Sequence, residues 1–235
     1  IKGYTVDTDS TGNSSQYVNP GWGGQAYDAE ALYVDVDATK LYLALITGHN
    51  PAWEQKNGMY APGDFLIDFG RDGTFEYGFT TTAGISFRSG ITAGALYQIG
   101  SGDVRLGLFA NQGTPYNKPG CNSSTQLTLC GFNAVSITGG TEVGTGNIAI
   151  SQGFKNYGDH SSDTHYAYEA AIDISLFDSK YWGQKFDVQW TMLCGNDVIS
   201  ADPIPSLVPE PMSLALFAVA LGALGLTSRR RKPTV

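Results

Sequence analysis

Apolar and polar residues alternate in short runs along most of the chain, with the period of a strand rather than a helix. Two such runs, Ala31–Val36 and Leu41–Thr47, flank Asp37-Ala38-Thr39-Lys40 and predict a hairpin. A second hairpin is predicted where Phe65, Ile67 and Phe69 alternate on one face and Phe75, Tyr77 and Phe79 on the return strand. Gly70-Arg71-Asp72-Gly73 supplies its turn. Further strands are expected at Gly94–Ile99, Val104–Ala110, Phe132–Thr138, Asn147–Gln152, Tyr166–Ile174 and Phe186–Cys194. Leu176–Trp182 reads as one or two helical turns, and the polar, Gly-rich residues 1–26 as an extended segment with one edge strand. Many short strands between frequent turns predict an all-β body, an antiparallel β-sandwich of jelly-roll-like form.

The pattern changes at the C-terminal end. ADPIPSLVPEP holds four prolines, which block helix and sheet alike. Met212 to Ser228 follows without a charge, then Arg229, Arg230, Arg231 and Lys232. Its 17 residues would span roughly 25 Å as a helix, against about 30 Å of hydrocarbon, which snorkelling arginines can make up. The cations would stay in the cytoplasm and the body outside. The expected organisation is a β-sandwich surface domain over 1–203, a Pro-rich linker over 204–211, a single C-terminal transmembrane helix over 212–228 and a basic cytoplasmic tail over 229–235.

Composition sharpens this picture. The net charge of −8 includes a basic tail; the residues before Val208 carry ten basic and 21 acidic groups, net −11. Such a body repels nucleic acid and anionic lipid and tolerates cations, neutral sugars or a basic partner. The chain opens at Ile1 without an initiator Met, which reads as a secretory signal already removed or as a fragment. In an exported protein, Cys121 and Cys130 are spaced for a loop-closing disulfide, leaving Cys194 as a small buried side chain; pairing of either with Cys194 is the alternative.

Val208-Pro209-Glu210-Pro211, the apolar stretch and Arg229 to Lys232 together resemble the PEP-CTERM sorting signal of Gram-negative, biofilm-forming bacteria. The resemblance implies that the chain is an exosortase substrate. It would pass through the inner membrane as an anchored precursor and be cut near the Pro-Glu-Pro motif. It would then stay at the cell surface or in the exopolysaccharide matrix. Within the body, Asp37 to Ala44, Gly63-Asp64 with Phe65–Phe69 and Asp72-Gly73, and Tyr168 to Asp173 resemble the β-sandwich of DOMON-like domains and family 9 carbohydrate-binding modules. Where that family has Ile-Pro after the glutamate, this chain has Ile172-Asp173.

Candidate chemistry is sparse. Asp64, Asp68, Asp72 and Glu76 offer hard oxygens suited to a structural Ca²⁺, although an ordinary Asp/Gly turn explains the same residues; Asp28, Glu30, Asp35 and Asp37 form a weaker group. His160 and His165 lack a third metal ligand, and Glu169 reads as an inward, paired carboxylate with catalytic use as the alternative. Trp22 and Trp53, in Gly/Pro-rich loops, are placed to stack on sugar rings, whereas Trp190 alternates into the core. No serine elbow, HExxH, phosphate-binding or dinucleotide motif occurs. The expectation is a non-catalytic structural or adhesive protein, with a carbohydrate-binding module and then a glycan-processing enzyme as alternatives.

Overall fold

The computed structural model describes residues 3–6, 24–52, 60–82, 90–106, 134–158, 161–195 and 197–202. The strands are β1 (Gly3–Val6), β2 (Ala29–Val36), β3 (Lys40–Thr47), β4 (Phe65–Phe69), β5 (Tyr77–Phe79), β6 (Ala95–Gln98), β7 (Val104–Leu106), β8 (Ala134–Ile137), β9 (Thr141–Thr145), β10 (Asn147–Ile150), β11 (Tyr166–Asp173), β12 (Phe186–Thr191) and β13 (Val198–Ala201). The only helical pieces among the described residues are short 3-10 turns at Gly24–Tyr27, Ile174–Leu176 and Ser179–Tyr181. No helix among them is long and apolar enough to cross a membrane, and the expected helix over 212–228 lies outside them.

Two antiparallel sheets form the body. The first runs β1-β2-β3-β11-β10 and the second β13-β12-β4-β5-β6-β9. Their inner faces meet in one core: Leu32, Val34, Leu41, Leu43, Leu45, Tyr168 and Ile172 from the first sheet, against Phe65, Ile67, Phe69, Tyr77, Phe79, Phe186, Val188 and Trp190 from the second. The two-residue strand period turns each alternating run into one buried row, so the sequence pattern and the sandwich-like layering are the same fact. One end is closed by aromatic rings, Phe69 stacking on Tyr181 at 4.8 Å and Tyr77 meeting Phe177 edge-on at 5.0 Å. Trp190, fully buried, donates from its indole N–H to the Gly63 carbonyl at 3.2 Å.

A small third layer lies on the outer face of the second sheet. The β7–β8 ribbon brings Ile137 against Leu66, Ala95, Tyr97 and Ile99 in a separate apolar cluster. Gly78 allows this approach: a Cβ there would lie 2.5 Å from Ile137 Cδ1 and 2.7 Å from its Cγ1. Phe75 packs with this outer cluster, not on the inner row expected for it, because the return strand begins only at Tyr77. Two strands, β9 and β13, are additional to those expected; Val198–Ala201 sits beside β12, close to the prolines that mark the end of the body.

Candidate functional site

The outer face of the first sheet carries a groove lined by described residues. Register sets its residues in two rows. Tyr4 opposes Tyr33, Tyr33 opposes Ala44, Ala44 opposes Glu169 and Glu169 opposes Ala149. The next row runs Asp35, Tyr42, Ala171, Asn147. Alanines on the middle strands and tyrosines on β2 and β3 leave a shallow groove of about 540 Å³, lined by Tyr33, Asp35, Tyr42, Ala44, Asn147 and Glu169 among others. Tyr4, 66% exposed, stacks on Tyr33 at 6.0 Å and extends the aromatic strip to the sheet edge.

Hydrogen bonds fix the walls. The hydroxyls of Tyr33 and Tyr157 lie 2.9 Å apart, while Tyr42 donates to Asp37 Oδ2 at 2.9 Å. Asp37 Oδ1 accepts from the Thr39 and Lys40 amides, each at 2.7 Å, and from the Thr39 hydroxyl at 2.9 Å. These backbone donors, Thr39 foremost, hold the Asp37 carboxyl well below the usual carboxylate range; its acceptance of the Tyr42 proton pushes that phenol up. Lys40 is held by Asp173 at 2.6 Å.

Glu169 corrects the expectation of an inward carboxylate. Tyr168, Ala170 and Ile172 take the inward positions of β11, so alternation turns Glu169 to solvent, where its carboxylate meets no hydrogen-bond or ion-pair partner among the described residues. It shares the groove with Asp35, but two strand spacings sideways and two residues along put their backbones about 12 Å apart.

The acidic turn is only partly as expected. Asp68, Asp72 and Glu76 bring oxygens within 4.8 Å of one another, and such a trio could hold a hard cation. Asp64 is not among them. It shares the face of Asp68 four residues earlier, about 13 Å along the strand, and is buried at the third layer. There it accepts from the Thr81 amide at 3.0 Å, the Ile137 amide at 2.9 Å and the Ser136 hydroxyl at 3.2 Å. Within the trio, backbone donors already engage each carboxylate. Asp68 accepts from Asp72 N (3.1 Å) and Gly73 N (2.8 Å), Asp72 from Thr74 N (2.9 Å) and Glu76 from Phe69 N (2.7 Å). Gly70, Arg71 and Gly73 take positive φ, as the tight turn demands. Arg71 closes the turn onto Asp187 at 2.8 Å and onto Asp202. Burial, helped by the Asp68 and Asp72 charges, pushes the Glu76 carboxyl up from 4.5 to about 7.

The other candidates separate. The weaker acidic group divides at a bulge between Ala29 and Ala31: Glu30 turns in to His165 Nδ1 at 2.6 Å, while Asp35 turns out to the groove. Cys194 and Trp190 are buried, as expected. Trp22, Trp53, Cys121, Cys130, His160 and the sorting motif Val208, Pro209, Glu210, Pro211, Arg229, Arg230 and Arg231 lie outside the described residues. What sequence reading missed is the groove itself. Its signal was the outward parity of Tyr33, Asp35 and Tyr42 within strands read only for their inward residues. No protein-family model matches the chain, and no curated protein is significantly similar to it in sequence.

Proposed function

We propose that the chain is an exported, non-catalytic surface protein that holds a polysaccharide in the groove on the outer face of its first sheet. The observation that carries this is the pairing of Tyr33 and Tyr42 with Glu169, Asp35 and Asn147 over an alanine floor. Tyrosine faces match the C–H faces of pyranose rings, and their hydroxyls and the neighbouring carboxylates and amide match sugar hydroxyls. The two tyrosines are diagonal neighbours on adjacent strands, about 7–8 Å apart, so they can engage successive parts of one chain.

The tail supports the location. Its proline, apolar and arginine blocks suit export, exosortase processing and release into an exopolysaccharide matrix, where a glycan-holding body acts as an adhesive. Intact C-termini on the surface protein of an exosortase-positive host, read by mass spectrometry, would remove the sorting half of the proposal.

Calorimetric titration against a panel of soluble polysaccharides tests the binding half. Tyr42→Ala should weaken binding about tenfold, the cost of truncating a well-placed aromatic contact. Binding that survives both Tyr33→Ala and Tyr42→Ala unchanged refutes the groove.

A further inference from the structure

Resting on that glycan-binding reading, the geometry points to a residue outside the groove that sets its aromatic wall. We propose that Tyr157 is a positioning residue, holding the Tyr33 ring ready for a sugar face through the contact between their two hydroxyls. The hydroxyls lie 2.9 Å apart, within hydrogen-bond distance whichever of them donates. Tyr33 lines the groove and Tyr157 does not.

Tyr157 is itself firmly held. Phe154 and His165 pair antiparallel, each amide donating to the other's carbonyl at 2.9 Å, and the Asn156 amide donates to the Ser161 carbonyl at 2.8 Å. The Tyr157 ring meets His165 edge-on at 5.6 Å and Phe154 at 6.5 Å. His165 is fully buried, and its Nδ1 lies 2.6 Å from Oε1 of Glu30, a β2 residue three positions before Tyr33. Tyr157 thus stands on a base fixed to the very strand whose ring it tethers. Burial, with the Tyr33 hydroxyl adding to it, pushes the Tyr157 phenol up, so it keeps its proton at neutral pH.

Tyr33 is where such a tether has an effect. Its ring is half-buried on the outer face of the sheet, with Tyr4 stacked on it. A ring that swings between rotamers must be ordered when a sugar binds, and that ordering weakens binding about 2- to 10-fold. A hydroxyl tether orders it beforehand. Tyr42 shows the same device, donating to Asp37 Oδ2 at 2.9 Å. Tyr157 stands toward the Glu30 end of β2 and Asp37 just past the other end, so the two ties run in opposite directions along the sheet. Released, the Tyr33 ring could turn over the floor at Ala44, its cross-strand neighbour.

The test uses the full chain in mild detergent and calorimetric titration with short soluble oligomers of glucose, N-acetylglucosamine and galacturonate. Tyr157→Phe keeps the ring that packs on Phe154 and His165 and removes only the hydroxyl. It should leave the urea midpoint near that of the wild type and weaken the tightest-binding oligomer about 2- to 10-fold. In a Tyr33→Phe background the same change should do nothing, because the tether is already gone. NMR relaxation of ring-labelled tyrosine, without sugar, should show the Tyr33 ring more mobile in Tyr157→Phe. Wild-type affinity in Tyr157→Phe, or an equally ordered Tyr33 ring, overturns the tether and leaves glycan binding intact. A further loss in the double variant overturns it too, by placing Tyr157 on the sugar itself. A loss of binding that only follows a loss of stability makes the role structural and overturns the proposal as well. Failure of every oligomer to bind the wild-type protein removes this inference and the reading beneath it together.

Discussion

Glu76→Gln should make the protein more stable in mild alkali and leave it unchanged in mild acid. The Glu76 carboxyl lies half-buried beside Asp68 and Asp72, and burial raises its titration from 4.5 to about 7. The folded state thus holds this proton more tightly than the unfolded chain does. Its contribution to stability is fully present below about pH 4.5 and is lost as pH rises through about 7. Taken in full, that gap is worth about 3 kcal/mol. Solvent screening of a half-exposed group reduces it to about 1–2 kcal/mol. Glutamine keeps the oxygen that accepts from the Phe69 amide at 2.7 Å and carries no charge at any pH. Urea unfolding of both proteins, followed by tryptophan fluorescence, should give matching stabilities near pH 4. Near pH 8 the variant should lead by about 1–2 kcal/mol. Taking the difference between the two proteins cancels the titrating groups that do not interact with Glu76. An equal offset at both pH values, or a less stable variant near pH 8, refutes the argument that desolvation governs this site. Millimolar Ca²⁺ should leave the wild-type midpoint unchanged, since backbone amides already engage the Asp68, Asp72 and Glu76 carboxylates. A calcium-dependent rise would reassign the turn as a cation site.

Two further outcomes follow from packing and burial. Gly78→Ala should cost about 1–3 kcal/mol by driving a methyl into Ile137, and Ile137→Ala in the same chain should recover part of it; additive losses in a double-mutant cycle would show that the third layer does not press on Gly78. His49, buried and donating to the Tyr60 carbonyl at 2.7 Å, has its imidazole pushed down from 6.5 to about 4 by desolvation. The contribution of His49 to stability should therefore be lost as pH drops from about 6.5 toward 4. Imidazole NMR should show His49 neutral at pH values where an exposed histidine is already charged; a midpoint near 6.5 would contradict its burial.

The sequence spoke clearly wherever one physical rule governed. Period-two runs set β2, β3, β4 and β11, and the Gly70–Gly73 turn followed from glycine's access to positive φ. Trp190 was legible as core because Val188 alternates with it. Reading failed where position depended on partners far along the chain. Asp64 reads as one of an acidic cluster, but the four-position step from Asp68 carries it to Ile137, a neighbour supplied from β8. Glu169 was placed inward because its neighbours are apolar, although Tyr168 and Ala170 already fill that parity. The groove needs β2, β3, β11 and β10 side by side, an order in which β10 and β11 join a hairpin laid down more than a hundred residues earlier. No local pattern encodes that adjacency.

The alternation along β3 and β11 divides labour within single strands. Leu41, Leu43 and Leu45 answer to the interior, while Tyr42 and Ala44 answer only to what lies outside. A lineage can therefore rewrite the outward letters one at a time, trading an alanine for a bulkier neighbour or a carboxylate for an amide, without disturbing the letters that keep it folded. Such a surface is cheap to retune when the surrounding polymer changes, and kin of this protein would be expected to differ first along Tyr33, Ala44, Glu169 and Ala149.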